Sequence, residues 1–365
     1  MKIMSKSKKG KSKVRISLPF VLLFFVLVVL CWLLYSSLSA GSQSNETSIA
    51  TQTTVTTAST QTSTQHTTAA TTAENSTTVA NTAAPANATV SEQSDNNDAT
   101  DLYLNNFKAV PSDSKISASD ISVGLNILVN NDYAYNFDQS TDFIRLSNLP
   151  NRAFKIMFDH ITADNLTANE FNLMTKDFRA KYTDYLGVCS GYRSYAKQEQ
   201  NFNASVERVG EKETLKWYTR PGYSEHHTGY AIDFNTNSYG DTAFTGTGNQ
   251  KWFKKNCHKY GFILRYTAEK QDITGVIPEA WHFRQVGIPH ADYIMKNGIC
   301  YEEYIDLIKR HSYENPLVIN ADSGGTYYVY YKAMSSDNTE INLSGYSKYY
   351  YSGNNVDGFI VTAIK

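Results

Sequence analysis

The sequence predicts an α+β fold: a small central antiparallel sheet flanked by helices, with the chemistry-bearing residues on the sheet, followed by a small C-terminal β unit. Three observations predict it. Helical and strand-like segments alternate between residues 101 and 310 without a regular βαβ cadence. No Gly-rich phosphate loop opens any of the helical segments, which disfavours a doubly wound nucleotide-binding fold. The last stretch, residues 311–365, changes to alternation of period two around Gly-rich turns.

The chain opens with a basic segment, residues 1–15, carrying Lys2, Lys6, Lys8, Lys9, Lys11, Lys13 and Arg15. An apolar run from Ile16 to Tyr35 follows, interrupted only near its entry by Ser17 and Pro19, within a candidate span over residues 16–38. Roughly 20 apolar residues cross one bilayer, and basic residues on the entry side stay in the cytoplasm. The expectation is a single-pass signal-anchor that puts everything downstream outside the cytoplasm. Ser37-Leu38-Ser39-Ala40-Gly41 offers small residues for cleavage, and cutting there would make the protein secreted. The apolar run exceeds the ~7 to 15 residues of a signal-peptide core, which favours the anchor.

Residues 39–100 are rich in Thr, Ser, Ala, Asn and Gln and lack Lys, Arg and aromatic side chains. Such a segment buries too little apolar surface to offset its ordering entropy, so it reads as a disordered stalk. Aromatic residues return at Tyr103 and mark the entry to the domain of residues 101–310.

Within that domain Thr167-Ala168-Asn169-Glu170 fits a capping box, Phe171, Met174 and Phe178 follow at helical spacing, and Gly187 supplies a stop. Val188 to Arg193 is strand-like, and Ser194 caps a helix through Tyr195, Gln198 and Phe202. A further helix is expected from Asn249 to Tyr260, ended by Gly261, before the strand Phe262 to Tyr266. In the tail, Tyr328 and Tyr330, then Phe359, Val361 and Ala363, alternate around Ser323-Gly324-Gly325 and Gly353-Asn354-Asn355. Its tyrosines read as packing on a small sheet rather than as a glycan-stacking face.

Charge is balanced, Lys+Arg 34 against Asp+Glu 35, so no chain-wide basic field points to nucleic acid. Of four cysteines, Cys31 lies in the apolar run, and Cys189, Cys257 and Cys300 have no C-x-x-C spacing. A thiolate metal site is disfavoured.

Two segments concentrate reactive side chains: Ser224 to Asp233, and Glu279-Ala280-Trp281-His282. In a strand over Tyr230 to Phe234, Ala231 and Asp233 share a face, and Gly229 permits a turn that brings His226 over it. His226 and Asp233 then reach one ion. His282 is the best third ligand, because His160, His258 and His290 lack a companion acid placed like Glu279. Three N/O ligands leave a position open, the pattern of catalytic rather than structural zinc. Glu279 and His282 are three apart, so both face the ion only if the chain bends between them, and Pro278 makes a bend plausible just before. Trp281 would then pack aside and help dry the site, whereas His227 in an extended segment would point away.

Ser-x-His-x-x-Gly-x-Ala-x-Asp followed by Glu-x-Trp-His resembles the signature of the zinc D-alanyl-D-alanine carboxypeptidases related to the vancomycin-resistance enzymes. The resemblance runs from about Ile127 to Tyr304. It includes Ser190-Gly191-Tyr192-Arg193-Ser194 with Gln198, Pro221-Gly222-Tyr223, Gly261 to Tyr266, and Trp281-His282-Phe283-Arg284. Ala280 departs from the family, where Pro is frequent, but the Glu-to-His spacing is intact. The resemblance implies zinc on His226, Asp233 and His282, general acid/base work by Glu279, oxyanion or carbonyl stabilisation by Arg193, and substrate contacts from Tyr192, Gln198, Ser224 and Trp281. It implies peptidoglycan stem peptides as substrate, with loss of the terminal D-alanine. An L,D-carboxypeptidase or a D,D-dipeptidase shares this metal chemistry. A peptidoglycan-binding module is the non-enzymatic alternative, against which an intact Glu279 argues.

Overall fold

The computed structural model describes residues 95–365 except 113, 136–141 and 238–241. The expected basic segment, membrane span and nearly all of the stalk lie outside the described residues. Among the described residues no helix is long and apolar enough to cross a membrane. A first helix, Asp95–Leu104, straddles the expected domain entry at residue 101, because Ala99 and Tyr103 are buried in the core.

Short strands β1 (Lys108–Ala109), β2 (Lys115–Ser117) and β3 (Phe143–Arg145) come next. After β4 (Lys155–Ile156), strand β5 (Thr162–Asp164) pairs with β3. Strands β6 (Gly187–Ser190), β7 (Ala231–Phe234), β8 (Phe262–Tyr266) and β9 (Glu279–Gln285) complete a central sheet of order β4-β6-β7-β9-β8. The pairs are antiparallel as expected, apart from β4 and β6, which run parallel at one edge.

One face of this sheet is dry. In β7 the period of two sends Ile232 and Phe234 into the core and leaves Ala231 and Asp233 opposite. The Phe234 ring lies 5.0 Å from Phe171 and 4.9 Å from Phe253, carried by the helices Asn165–Lys181 and Lys251–Asn256. The first of these starts earlier than its apparent capping box. Asp164, not Thr167, is the cap, its carboxylate accepting from the Thr167 N–H at 3.1 Å. Glu170 turns inward instead of capping, and its Oε2 accepts from Gln285 Nε2 at 2.6 Å. The helix stops at Lys181, and Gly187 opens β6. The helix expected over residues 249–260 is broken into a 3-10 turn, the helix Lys251–Asn256 and a second 3-10 turn, and Gly261 closes it in the left-handed region at φ 75°.

After the helices Ile288–Asn297 and Tyr301–Ile308, the tail forms β10 (Leu317–Asn320), β11 (Thr326–Ala333), β12 (Asn338–Glu340), β13 (Lys348–Gly353) and β14 (Gly358–Ile364). Its sheet has the order β1-β13-β14-β11-β10 and so recruits a strand from before the central sheet. Ile319, Tyr327, Val329 and Ile360 join the same core as Phe171 and Phe234. Tyr327 and Tyr330 are buried, in keeping with packing. Among the described residues, Cys189, Cys257 and Cys300 form no disulfide.

Candidate active site

Register builds the site. Asp233 on β7 pairs with Ser190 on β6 and with His282 on β9, and cross-strand partners share a face. Three neighbouring strands thus offer a hydroxyl, a carboxylate and an imidazole in one row, on the face away from the aromatic core.

His226 reaches this row from the turn Glu225–Thr228, not from an extended strand. Ser224 caps the turn, its Oγ accepting from the His226 N–H at 3.3 Å, and Gly229 ends it at φ 76°. His226 Nδ1 lies 2.7 Å from the Gly191 carbonyl. A carbonyl only accepts, so Nδ1 carries the proton and Nε2 presents a lone pair 3.0 Å from Asp233 Oδ2. His282 Nε2 donates to Glu225 Oε2 at 3.1 Å, leaving Nδ1 free 3.0 Å from Asp233 Oδ1. That close pair is not aligned as a hydrogen bond, and Oδ1 is buried without a donor.

These features fit a metal ion. One atom each of His226, Asp233 and His282 lies within 4.8 Å of the others, all three residues are buried, and Asp233 Oδ1 has no hydrogen-bond partner. The charges agree. Burial opposes ionisation of Asp233, yet the two imidazoles hold its carboxyl well below the ordinary range. Burial likewise disfavours a charged His282, but Asp233 and Glu225 raise it to about 10. The site demands a positive charge at this point.

Glu279 stands beside it, Oε2 3.7 Å from His282 Nδ1. The bend that this requires is a bulge in β9. Phe283 pairs with Leu264 and Glu279 with Tyr266, so β9 spends more residues than β8 over one stretch. The bend falls after Glu279, at Ala280 and Trp281, not at Pro278. Burial raises the Glu279 carboxyl to about 7, with Asp233 adding to the effect and His282 opposing it.

Arg193 Nη2 lies 4.0 Å from Asp233 Oδ2 and donates to Ser190 Oγ at 2.8 Å, while Nη1 donates to Gln198 Oε1 at 2.9 Å. The buried Gln198 donates its other end to the Thr219 carbonyl at 2.7 Å, so it aims the guanidinium. Tyr192 stacks on Phe143 with centroids 4.3 Å apart. Trp281 is half-buried and, with Tyr192, Arg193, Ser224 and Glu279, lines a groove of about 1090 Å³ that also takes in His226, Asp233 and His282. His227 is structural: its Nδ1 donates to the Arg193 carbonyl at 2.6 Å and its Nε2 accepts from the Gly222 N–H at 3.1 Å. Burial holds its pKa down at about 4.

Sequence reasoning passed over four participants. Glu225 lies between Ser224 and His226 but bonds His282 and meets Arg265 and Arg284, and Arg265 in turn holds Glu302. Glu225 stands inside the motif, whereas Arg265 and Glu302 are joined to it only by the fold. His258 also proves to have acids nearby, Asp292 and Asp322, brought in from distant segments. Lys296 already answers their charge, at 2.8 Å from Asp292 and 2.6 Å from Asp322.

A family model described as VanY, D-alanyl-D-alanine carboxypeptidase, matches residues 160–288. The chain is 29% identical over 250 residues to a D-alanyl-D-alanine carboxypeptidase of Enterococcus faecium, covering 68% of this chain and 77% of that one. It is 37% identical over 126 residues to the bifunctional D-Ala-D-Ala dipeptidase and carboxypeptidase VanXYC of Enterococcus gallinarum, covering 33% and 66%. Among solved structures, the vancomycin-resistance D,D-dipeptidase VanXYg, determined with a D-Ala-D-Ala phosphinate analogue, matches with a TM-score of 0.62 and 30% identity over 71% of this chain and 99% of that one. On this fold, ligand row and likeness, the chain belongs to the vancomycin-resistance-type D-alanyl-D-alanine carboxypeptidase family.

Proposed function

We propose that the protein is a zinc-dependent D,D-carboxypeptidase that removes the terminal D-alanine of peptidoglycan stem peptides outside the cytoplasm. The observation that carries this reading is the meeting of His226 Nε2 and His282 Nδ1 at the Asp233 carboxylate, with Glu279 beside them on the floor of a long groove. The groove volume, about 1090 Å³, lies just above the ~300 to 1,000 Å³ of ordinary ligand pockets and supports a peptide longer than a dipeptide. The apolar run at residues 16–38 supports a membrane anchor and an extracytoplasmic site.

His226, Asp233 and His282 would hold zinc, which when bound would supply Lewis acidity to a carbonyl and to water. The chain's own groups do the rest. Glu279, buried and with its carboxyl raised to about 7, accepts the proton of the attacking water and returns it to the amine of the departing D-alanine. Arg193, fixed by Ser190 and Gln198, places a guanidinium over the groove where charge develops on the scissile carbonyl oxygen. Trp281 and Tyr192 narrow the approach and exclude water.

Zinc-loaded protein incubated separately with a pentapeptide stem ending in D-Ala-D-Ala, a tetrapeptide stem and free D-Ala-D-Ala tests this by mass spectrometry. Release of one D-alanine from the pentapeptide alone is expected. Cleavage confined to the tetrapeptide or the dipeptide would replace the specificity assigned here, and no cleavage of any would overturn the reading.

A further inference from the structure

Behind His282 lies a chain of buried charges that begins at Glu225, on the wall of the groove, and runs into the fold. Glu225 accepts from His282 Nε2 with one oxygen and from Arg265 Nε with the other, at 3.1 Å and 2.8 Å. Arg284 Nη1 stands 3.4 Å from that second oxygen. Arg265 then forks onto Glu302, Nη1 to Oε2 at 3.0 Å and Nη2 to Oε1 at 2.5 Å, and Asn130 Nδ2 donates to the same Glu302 at 3.1 Å. Glu225 and Arg265 are each 2% exposed and Arg284 is 0%.

Burying so many charges is costly, and apolar residues of similar volume often serve stability better, so stability alone does not account for them. The two imidazoles of the ligand row are also held differently. His226 is fixed by a neutral backbone carbonyl, whereas His282 is fixed by a carboxylate. A carboxylate behind a ligating imidazole sets its tautomer, locks its ring and strengthens it as a donor. Two arginines keep that carboxylate ionised, and one of them is pinned to the helix Tyr301–Ile308 through Glu302.

We propose that Glu225 is the positioning residue of His282: it fixes the Nε2–H tautomer and, through Arg265 and Glu302, ties that imidazole to the helix Tyr301–Ile308, tightening the hold of the site on zinc. Nδ1 of His282 is thereby delivered to the ion without a proton. The relay acts on metal affinity through His282. This inference rests on the metal reading of the site.

Zinc affinity of the full chain, measured by competition with a chelator, tests it for the wild type, Glu225→Ala, Glu225→Gln and Glu302→Gln. Glu225→Ala is expected to weaken zinc roughly 10- to 100-fold. Glu225→Gln keeps an acceptor for Nε2–H but loses the charge, so its loss is smaller, and Glu302→Gln gives a loss of a few fold. If Glu225→Ala fails to fold, the two Gln variants carry the comparison. Histidine 15N spectra of the zinc-loaded wild type should show His282 protonated at Nε2. A purely structural Glu225 would lower the melting temperature yet leave zinc affinity within twofold of wild type, which overturns the proposal, as does a proton on Nδ1. Wild-type protein that binds no zinc overturns the metal reading itself.

Discussion

Glu279 and His282 stand three positions apart on one strand, yet Glu279 Oε2 and His282 Nδ1 approach to 3.7 Å. A regular pleat would send them to opposite faces. The bulge at Ala280 and Trp281 returns both to the groove, so the approach of the carboxylate to the imidazole is a product of backbone irregularity. Because Glu279 is not among the three converging ligand groups, its removal should separate chemistry from metal binding. Glu279→Ala is expected to lower kcat by about 10²- to 10⁴-fold with zinc content unchanged. D-alanine release and metal analysis on the same sample check this, and an unimpaired kcat would remove Glu279 from the role of base.

Gly229 sets the position of His226. Its φ is 76°, and a Cβ there would meet Phe143 Cε1 at 2.2 Å and the Asp164 nitrogen at 3.2 Å. Left-handed backbone costs a residue with a Cβ ~1–2 kcal/mol, and overpacking typically adds ~1–3 kcal/mol. Gly229→Ala should therefore lose at least about 2 kcal/mol in urea unfolding and bind zinc more weakly. Adding Phe143→Ala should relieve the clash but not the backbone strain. A fully stable Gly229→Ala would show that the turn has another solution.

The convergence of His226, Asp233 and His282 was legible because they lie in two short segments whose residue types alone suggest metal and base. Those segments also bracket β7 and β9, and their register supplies the alignment of Asp233 with His282. The bulge was legible only as a requirement, since Ala280 and Trp281 carry no signature of irregular backbone. Glu225 was hidden by its neighbours: beside His226 it reads as an ordinary surface acid, and only the far-off Arg265 and Glu302 show it to be buried. The helix start was misplaced for a similar reason. Thr167 and Glu170 fit a local capping pattern, but tertiary contacts turned Glu170 toward Gln285 and left the cap to Asp164. Likewise the tail's alternation marked strands without indicating that Ile319 and Ile360 would enter the main core.

Glu170 should oppose stability at alkaline pH. It is wholly buried, Oε1 has no hydrogen-bond partner, and burial raises its carboxyl well above the ordinary range, only partly offset by the Gln285 bond. A carboxyl whose pKa is raised on folding holds its proton more tightly in the fold. Its contribution is complete below the unfolded value near 4.5 and is lost as pH rises toward the folded one. Each unit of that rise is worth about 1.4 kcal/mol. Glu170→Gln keeps the acceptor for Gln285 and cannot ionise, so its stability relative to wild type should increase from pH 5 to pH 8. Urea unfolding at the two values checks this, and a difference independent of pH would mean that Glu170 does not titrate with folding.

His290 should work in the other direction. It is fully buried between Tyr304 and Thr362, with Nδ1 2.6 Å from the phenol oxygen and Nε2 3.0 Å from Thr362 Oγ1, and burial lowers its pKa to about 3. The unfolded chain takes up a proton near 6.5, whereas the folded chain refuses it until about 3. Stability from this group is therefore complete above pH 6.5 and is lost as pH falls through that window. Between pH 8 and pH 5 the loss is about 2 kcal/mol, from a gap of roughly 1.5 units at about 1.4 kcal/mol each. His290→Asn removes the titrating ring, so the variant should be less stable at pH 8 but lose about 2 kcal/mol less than wild type on acidification. Chemical unfolding of both proteins across this range separates the effect from every carboxylate common to them, and parallel curves would show that His290 is not the group whose protonation loosens the core.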